Sequence, residues 1–190
     1  MKNVMTYLWR VSDDYPQALI GEYVSAEGLD RFSLRRGERL PDQHAMPVVR
    51  FSVSGNLLHE FSCLPNSAML PLVGRDFADF LIENAPDDIQ LIEARIQAED
   101  GGVDGFYFVN IISSVTAIDK NESIFTLVPG TDRIMGFKKL RYYEDCLGGH
   151  MLARDSEYMA HLLVSNELAE KMKQRNFSGV GLYLPSEIWI

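Results

Sequence analysis

The chain has 190 residues, 46% of them hydrophobic and 24% charged, an ordinary globular composition with enough apolar material for one sizeable core. Its net charge of -9 and pI near 4.9 argue against nucleic-acid binding, which needs clustered Lys and Arg, and favour basic partners. No apolar run approaches the roughly 20 residues needed to cross a bilayer, and the two cysteines, Cys63 and Cys146, make no secreted disulfide framework.

The first ten residues include Lys2 but lack the long apolar region and cleavage site of an export signal, so a cytoplasmic protein is expected. Val4 to Arg10 reads as a strand, stopped by Ser12-Asp13-Asp14 and Pro16. Residues 26 to 46 carry Gly28, Gly37, Pro41 and the run Arg35-Arg36-Gly37-Glu38-Arg39, which predicts loop with a short helical turn. Val48 to Val53 predicts a strand ending in a tight turn at Ser54-Gly55-Asn56.

From Leu70 to Ala85 the period changes. Phe77, Phe80 and Leu81 recur at helical spacing opposite Asp76, Asp79 and Glu83, which predicts a helix of three turns closed by Asn84 and Pro86. After Pro86-Asp87-Asp88, residues 89 to 97 alternate as a strand. The Gly-rich turn Asp100-Gly101-Gly102 with Asp104-Gly105 leads into 106 to 112, the strongest strand signal, so the two strands should form an antiparallel hairpin.

Further strands are predicted at Ser123 to Val128, Ile134 to Tyr143 and His161 to Val164, with a polar loop at Arg154-Asp155-Ser156. Ser165 is positioned to cap a helix from Asn166 to Arg175, with Glu167 at its positive end, Lys171, Lys173 and Arg175 toward the other, and Leu168 with Met172 as its seam. Gly179 and Gly181 introduce a last strand, Val180 to Leu184. The expected class is α+β, a mostly antiparallel sheet with two or three helices packed on it. One domain is expected, divided at most into an acidic-helix lobe over 1–100 and a strand-rich lobe over 101–190.

Chemistry leaves few traces. The Gly101-Gly102 and Gly105 cluster stands in an acidic turn and would repel a phosphate. Cys146, His150 and His161, with Asp145, are the best metal-ligand set, but their spacing follows no known chelating pattern, and no cofactor is expected. A hydrolase using His150 or His161 with a carboxylate is the enzymatic alternative, although no Gly-x-Ser-x-Gly elbow accompanies the histidines. A small-ligand sensor is a third, with no convergent polar residues to mark its site.

Charge distribution is more informative than its total. Between Arg75 and Asp104 nine acids stand against two bases, so this segment holds -7 of the chain's -9. Asp76, Asp79, Glu83, Asp87 and Asp88 are its candidate partner-binding residues, since concentrated like charge raises the association rate of a basic partner. The bland alternative is a solvated helix face.

An ordered set in the second half points further. It comprises the Phe106-Tyr107-Phe108-Val109-Asn110-Ile111 strand, Asp119 before the Ser123 strand, the Leu163-Val164-Ser165-Asn166-Glu167-Leu168 cap, and Phe177-Ser178-Gly179-Val180. Over residues 105 to 184 this set resembles the immunity-protein-eleven family of bacterial polymorphic toxin systems. It departs from the family where a Phe-Arg pair is expected, the chain having Met151-Leu152-Ala153-Arg154. The resemblance implies a cytoplasmic antidote that binds a cognate protein toxin and carries no catalytic residues. Asn110, Asp119 and Ser123 match the motif, and their chemistry suits local backbone bonding better than recognition.

Overall fold

The strand that begins at Phe106 occupies the middle of a sheet with a core on each side. A computed structural model describes residues 5–188; Val4, the predicted start of the first strand, lies outside them. In chain order the first elements are β1 (Thr6–Val11), β2 (Glu22–Tyr23), β3 (Val48–Arg50), the short α1 (Gly55–Leu58), β4 (Leu72–Gly74) and α2 (Arg75–Asn84). Next come β5 (Ile89–Glu93), β6 (Arg95–Ala98), β7 (Gly101–Val103), β8 (Phe106–Ile111), β9 (Ser114–Val115), β10 (Ile124–Leu127) and β11 (Ile134–Lys139). β12 (Leu152–Asp155), β13 (Leu162–Ser165), α3 (Asn166–Arg175) and β14 (Val180–Tyr183) complete the fold, which is α+β as its sequence predicts.

Among the described residues four sheets result, in the orders β14-β1-β13-β12-β9, β4-β8-β5, β2-β3-β6-β7 and β10-β11. All pairings are antiparallel except β12 with β9 and β3 with β6. Both halves of the chain supply the first two sheets: β1 pairs with β13 and β14, and β8 lies between β4 and β5.

Alternation along the strands assigns the cores. Tyr7 and Trp9 of β1, Leu162 and Val164 of β13, and Val109 and Ile111 of β8 meet α2 and α3 in one core, where Phe177 stacks on Phe77 at 4.2 Å. Leu8, Ala153 and Leu163 point to the other face of the five-stranded sheet, under Ile134 and Phe137 of β11. Phe106 and Phe108 face a third core with Val49, Ile96, Leu58 and Leu64. β8 is therefore covered on both faces, which is why its sequence is apolar at every position except Asn110 instead of alternating.

Several predicted boundaries move for identifiable reasons. Leu72 and Val73 are fully buried and pair with β8, so the helix expected from Leu70 begins only at Arg75. The strand expected over 89–97 breaks at Ala94, because β5 pairs with β8 while β6 turns into another sheet and forms a tight hairpin with β7. Ser54-Gly55-Asn56 opens α1 instead of a hairpin turn. The polar loop expected at Arg154-Asp155 is the end of β12, every residue of which is buried.

That burial has a cost which hydrogen bonds offset. Arg154, 2% exposed, donates from Nη1 to Met159 O at 2.8 Å and from Nη2 to Leu34 O at 3.2 Å. Asp155 accepts from the backbone N–H groups of Ala117, Glu157 and Tyr158. Asp88 does more. One of its oxygens accepts from Ser113 Oγ at 2.7 Å and meets His150 Nδ1 at 2.6 Å, and the other accepts from Met151 N and Leu152 N at 2.8 and 3.1 Å. A residue on the turn from α2 to β5 thereby holds the start of β12, joining the three-stranded sheet to the five-stranded one.

α3 follows its sequence closely. Ser165 Oγ accepts from Leu168 N at 3.1 Å, Leu168 and Met172 are buried, and Asn176 ends the helix in the left-handed conformation.

Two stability measurements check this account. Ser165→Ala should lower unfolding free energy by about 1 kcal/mol through loss of the cap. Asp88→Ala should cost on the order of 3 kcal/mol, because buried N–H groups lose a charged acceptor. Burial pushes the Asp88 carboxyl up, but its donors outweigh burial and hold it below its ordinary 3.8. Its contribution is therefore complete above that value and lost as pH falls through the lowered one. Urea unfolding of native protein and variant should show their difference shrinking in strong acid; a difference unchanged at low pH would contradict the assignment.

Candidate functional site

α2 buries Phe77, Ala78, Phe80 and Leu81 and leaves Asp76, Asp79, Ile82 and Glu83 in solvent. Asp87 is exposed in the turn that follows. These four acids share one outer surface and enter no ion pair among the described residues. Asp88 does not belong with them. Although it adjoins Asp87 in sequence, it is 4% exposed and its acceptor capacity is taken up by the bonds to Ser113, His150, Met151 and Leu152. The structure thus corrects its expected place on the acidic surface: the chain turns inward there to start β5.

At the N-terminal end of α2 the surface becomes concave. Two hollows of about 430 and 400 Å³ share His59 and Asp104 in their walls. Glu60, Ser62, Arg75 and Asp76 line the first, and Asn56 and Asp100 the second. The side chains come from the end of α1, the start of α2 and the turns on either side of β7. Asp100 is fixed by accepting from Gly55 N at 2.7 Å, and the His59 ring lies against Phe106 with centroids 5.2 Å apart. Arg75 stands over the Tyr107 ring at 5.4 Å. Glu60, Asp76, Asp100 and Asp104 make no ion pair among the described residues, so four carboxylates share a groove with one guanidinium. Such a groove suits a lysine or arginine side chain, and its concavity concentrates the field.

His59 and Glu60 escape sequence reasoning because they are remote in the chain from the acidic segment and join it only through packing. Asp100 and Asp104 are legible as charge but not as walls of a groove, since they read as a turn.

The histidines of the enzymatic alternative lie elsewhere. His161 is 6% exposed, bonded through Nδ1 to Tyr142 Oη at 2.8 Å and packed on Phe137 and Tyr158. Burial, with Arg10 nearby, pushes its pKa down to about 4, so the ring is neutral at physiological pH. Its only side-chain hydrogen bond among the described residues is to Tyr142, and none reaches a carboxylate. His150 does meet a carboxylate and a hydroxyl, at Asp88 and Ser113. The order is wrong for nucleophilic chemistry: Ser113 donates to the carboxylate, not to the imidazole, so the imidazole is not placed to take its proton. None of the three lines either hollow. Cys146 meets Thr6 Oγ1 at 3.5 Å, and among the described residues no three His, Cys, Asp or Glu side chains are grouped to hold a metal.

The motif residues in the second half bear on architecture. Asp119 Oδ1 accepts from the N–H groups of Asn121 and Glu122, and Ser123 Oγ exchanges bonds with the backbone of Arg141, fixing the entry to β10. Asn110 reaches farther, donating to Glu38 O and Gln90 Oε1. Ser178 and Ser62 bond reciprocally to each other's backbone N–H. Gly179 follows at φ 81°, where a Cβ would lie 2.5 Å from Cys63 O, so glycine is required.

No curated protein matches the chain. The profile of the Immunity protein family (Imm11) matches residues 25–184, reaching well before the motif set of the second half and taking in the acidic helix and groove. With that span covering most of its length, the chain belongs to the Imm11 immunity protein family.

Proposed function

We propose that this protein is a cytoplasmic immunity protein that binds and neutralises a cognate toxin of a bacterial polymorphic toxin system, without chemistry of its own. Family membership supplies the class of activity. The observation that carries the surface assignment is the run of carboxylates, unpaired among the described residues, from Asp87 in the turn after α2 through Glu83, Asp79 and Asp76 on the helix to the groove walls Glu60, Asp100 and Asp104. Ile82, 43% exposed, offers an apolar contact on the flank of the acidic helix face.

The mechanism is steric cover guided by electrostatics. A basic toxin surface is drawn by the summed negative field, a cationic side chain enters the groove beside His59, and the acids fix orientation. Exposed charge of this kind contributes more to association rate and specificity than to final affinity, and salt screens it.

Two experiments test the reading. Coexpression with the toxin encoded beside this chain should restore growth and give a stable complex; equal killing in its presence would defeat the idea. Replacing Asp76, Asp79 and Asp104 together by Asn should slow association with that toxin by about tenfold at low ionic strength and by less at high salt, measured by surface plasmon resonance. A rate indifferent to these charges would move the interface elsewhere.

A further inference from the structure

Three arginines stand in file from the surface inward. Arg31 is exposed on the short helical turn Arg31–Leu34, Arg35 directly after it is half-buried, and Arg154 of β12 is buried. Arg154 Nη2 donates to Leu34 O, the carbonyl that precedes Arg35, and the Arg35 guanidinium donates in turn to Ala68 O. Each charge acts on the next. Burial, and then Arg31, lowers the pKa of Arg35; burial, and then Arg35, pulls Arg154 down to about 10, which still leaves it charged at neutral pH.

None of the three has a carboxylate within ion-pair distance among the described residues. The nearest acids in sequence are engaged elsewhere: Asp155 accepts from the N–H groups of Ala117, Glu157 and Tyr158, and Asp30 accepts from Phe32 N. A buried charge is ordinarily paired, because only an opposite charge offsets its removal from water. The carbonyls of Leu34 and Met159 satisfy N–H groups of Arg154 without neutralising it, and its Nε–H is buried with no hydrogen-bond partner among the described residues.

The cover beside this file is lightly fastened. Residues 36 to 40 make no backbone-to-backbone hydrogen bond among the described residues. Side chains tie them down instead: Asn110 Nδ2 donates to Glu38 O at 2.8 Å, and Gln90 bonds both backbone polar atoms of Leu40 at 2.8 and 3.0 Å. Between Leu34 and Glu38, Gly37 turns the chain at φ 72° over Ile111 O and the Met159 side chain, the residue whose carbonyl holds Arg154 Nη1. A strap of this kind opens locally at lower cost than the sheets beneath it.

We propose that Arg154 and Arg35, with Arg31 at the mouth, form a binding site for a small oxyanion, a phosphate or carboxylate group that accepts from Arg154 Nε–H and neutralises the adjoining guanidiniums once the strap over residues 36 to 40 shifts. Planar guanidinium donors suit such oxygens, and charge-assisted bonds in a poorly hydrated place are strong. No arginine of this file lines the acidic groove, so the site is independent of the toxin reading.

Titration of the isotope-labelled intact chain with inorganic phosphate, against sodium chloride at matched ionic strength, tests it through the arginine Nε–H resonances. The Arg154 signal should shift to saturation with phosphate, while that of the exposed Arg133 follows the chloride control. Arg35→Gln should weaken the phosphate affinity by at least about tenfold. A parallel titration with acetate separates the sources, the tighter anion naming the group as phosphate or carboxylate. An Arg154 signal that responds to neither anion beyond the Arg133 signal overturns the proposal, as does an affinity indifferent to the loss of Arg35. Should Arg35→Gln disturb folding, Arg31→Gln at its exposed position takes its place: weaker binding is expected, and unchanged binding overturns the proposal equally.

Discussion

One buried carboxylate ties the two principal sheets together. Asp88 leaves the acidic surface at the end of α2, and its four contacts bind the turn before β5 to Ser113, His150 and the first residues of β12. Few interactions at so short a stretch of chain could define the relative placement of the three-stranded and five-stranded sheets, because apolar packing alone is non-directional. A carboxylate with saturated acceptors is directional, and it converts a greasy contact between layers into one register.

The central core depends on that register. α2 and α3 lie against sheets that Asp88 connects, and the stack of Trp9, Phe77, Phe80 and Phe177 fills the space between them. Because α2 uses its buried face for this purpose, its outward face is free to carry unpaired acids without loss of packing. Surface charge and core aromatics are therefore two sides of one short amphipathic helix.

What could be read from the sequence depended on how local its cause was. α3, its Ser165 cap and the β8 run were legible because spacing and capping chemistry act within a few residues. β12 was not: Arg154 and Asp155 look like loop residues until the carbonyls of Leu34 and Met159 and the N–H of Ala117 bond them in place. The same reason divides the site. Asp76, Asp79 and Glu83 declare their face through helical periodicity, whereas Asp88 departs inward and His59 and Glu60 arrive from another segment, events that only tertiary packing decides.

The charged side chains of the groove come from chain turns and helix ends, beside Phe77 and Phe106, core residues that also line it. Asp104 and Glu60 are exposed and stand near Phe106 and Leu58 in the chain without sharing in their packing. Exchanges at such exposed positions cost little stability, usually within about 0.5 kcal/mol. Under the proposed function, a lineage facing a changing adversary could consequently rewrite its specificity one side chain at a time while the scaffold stays the same.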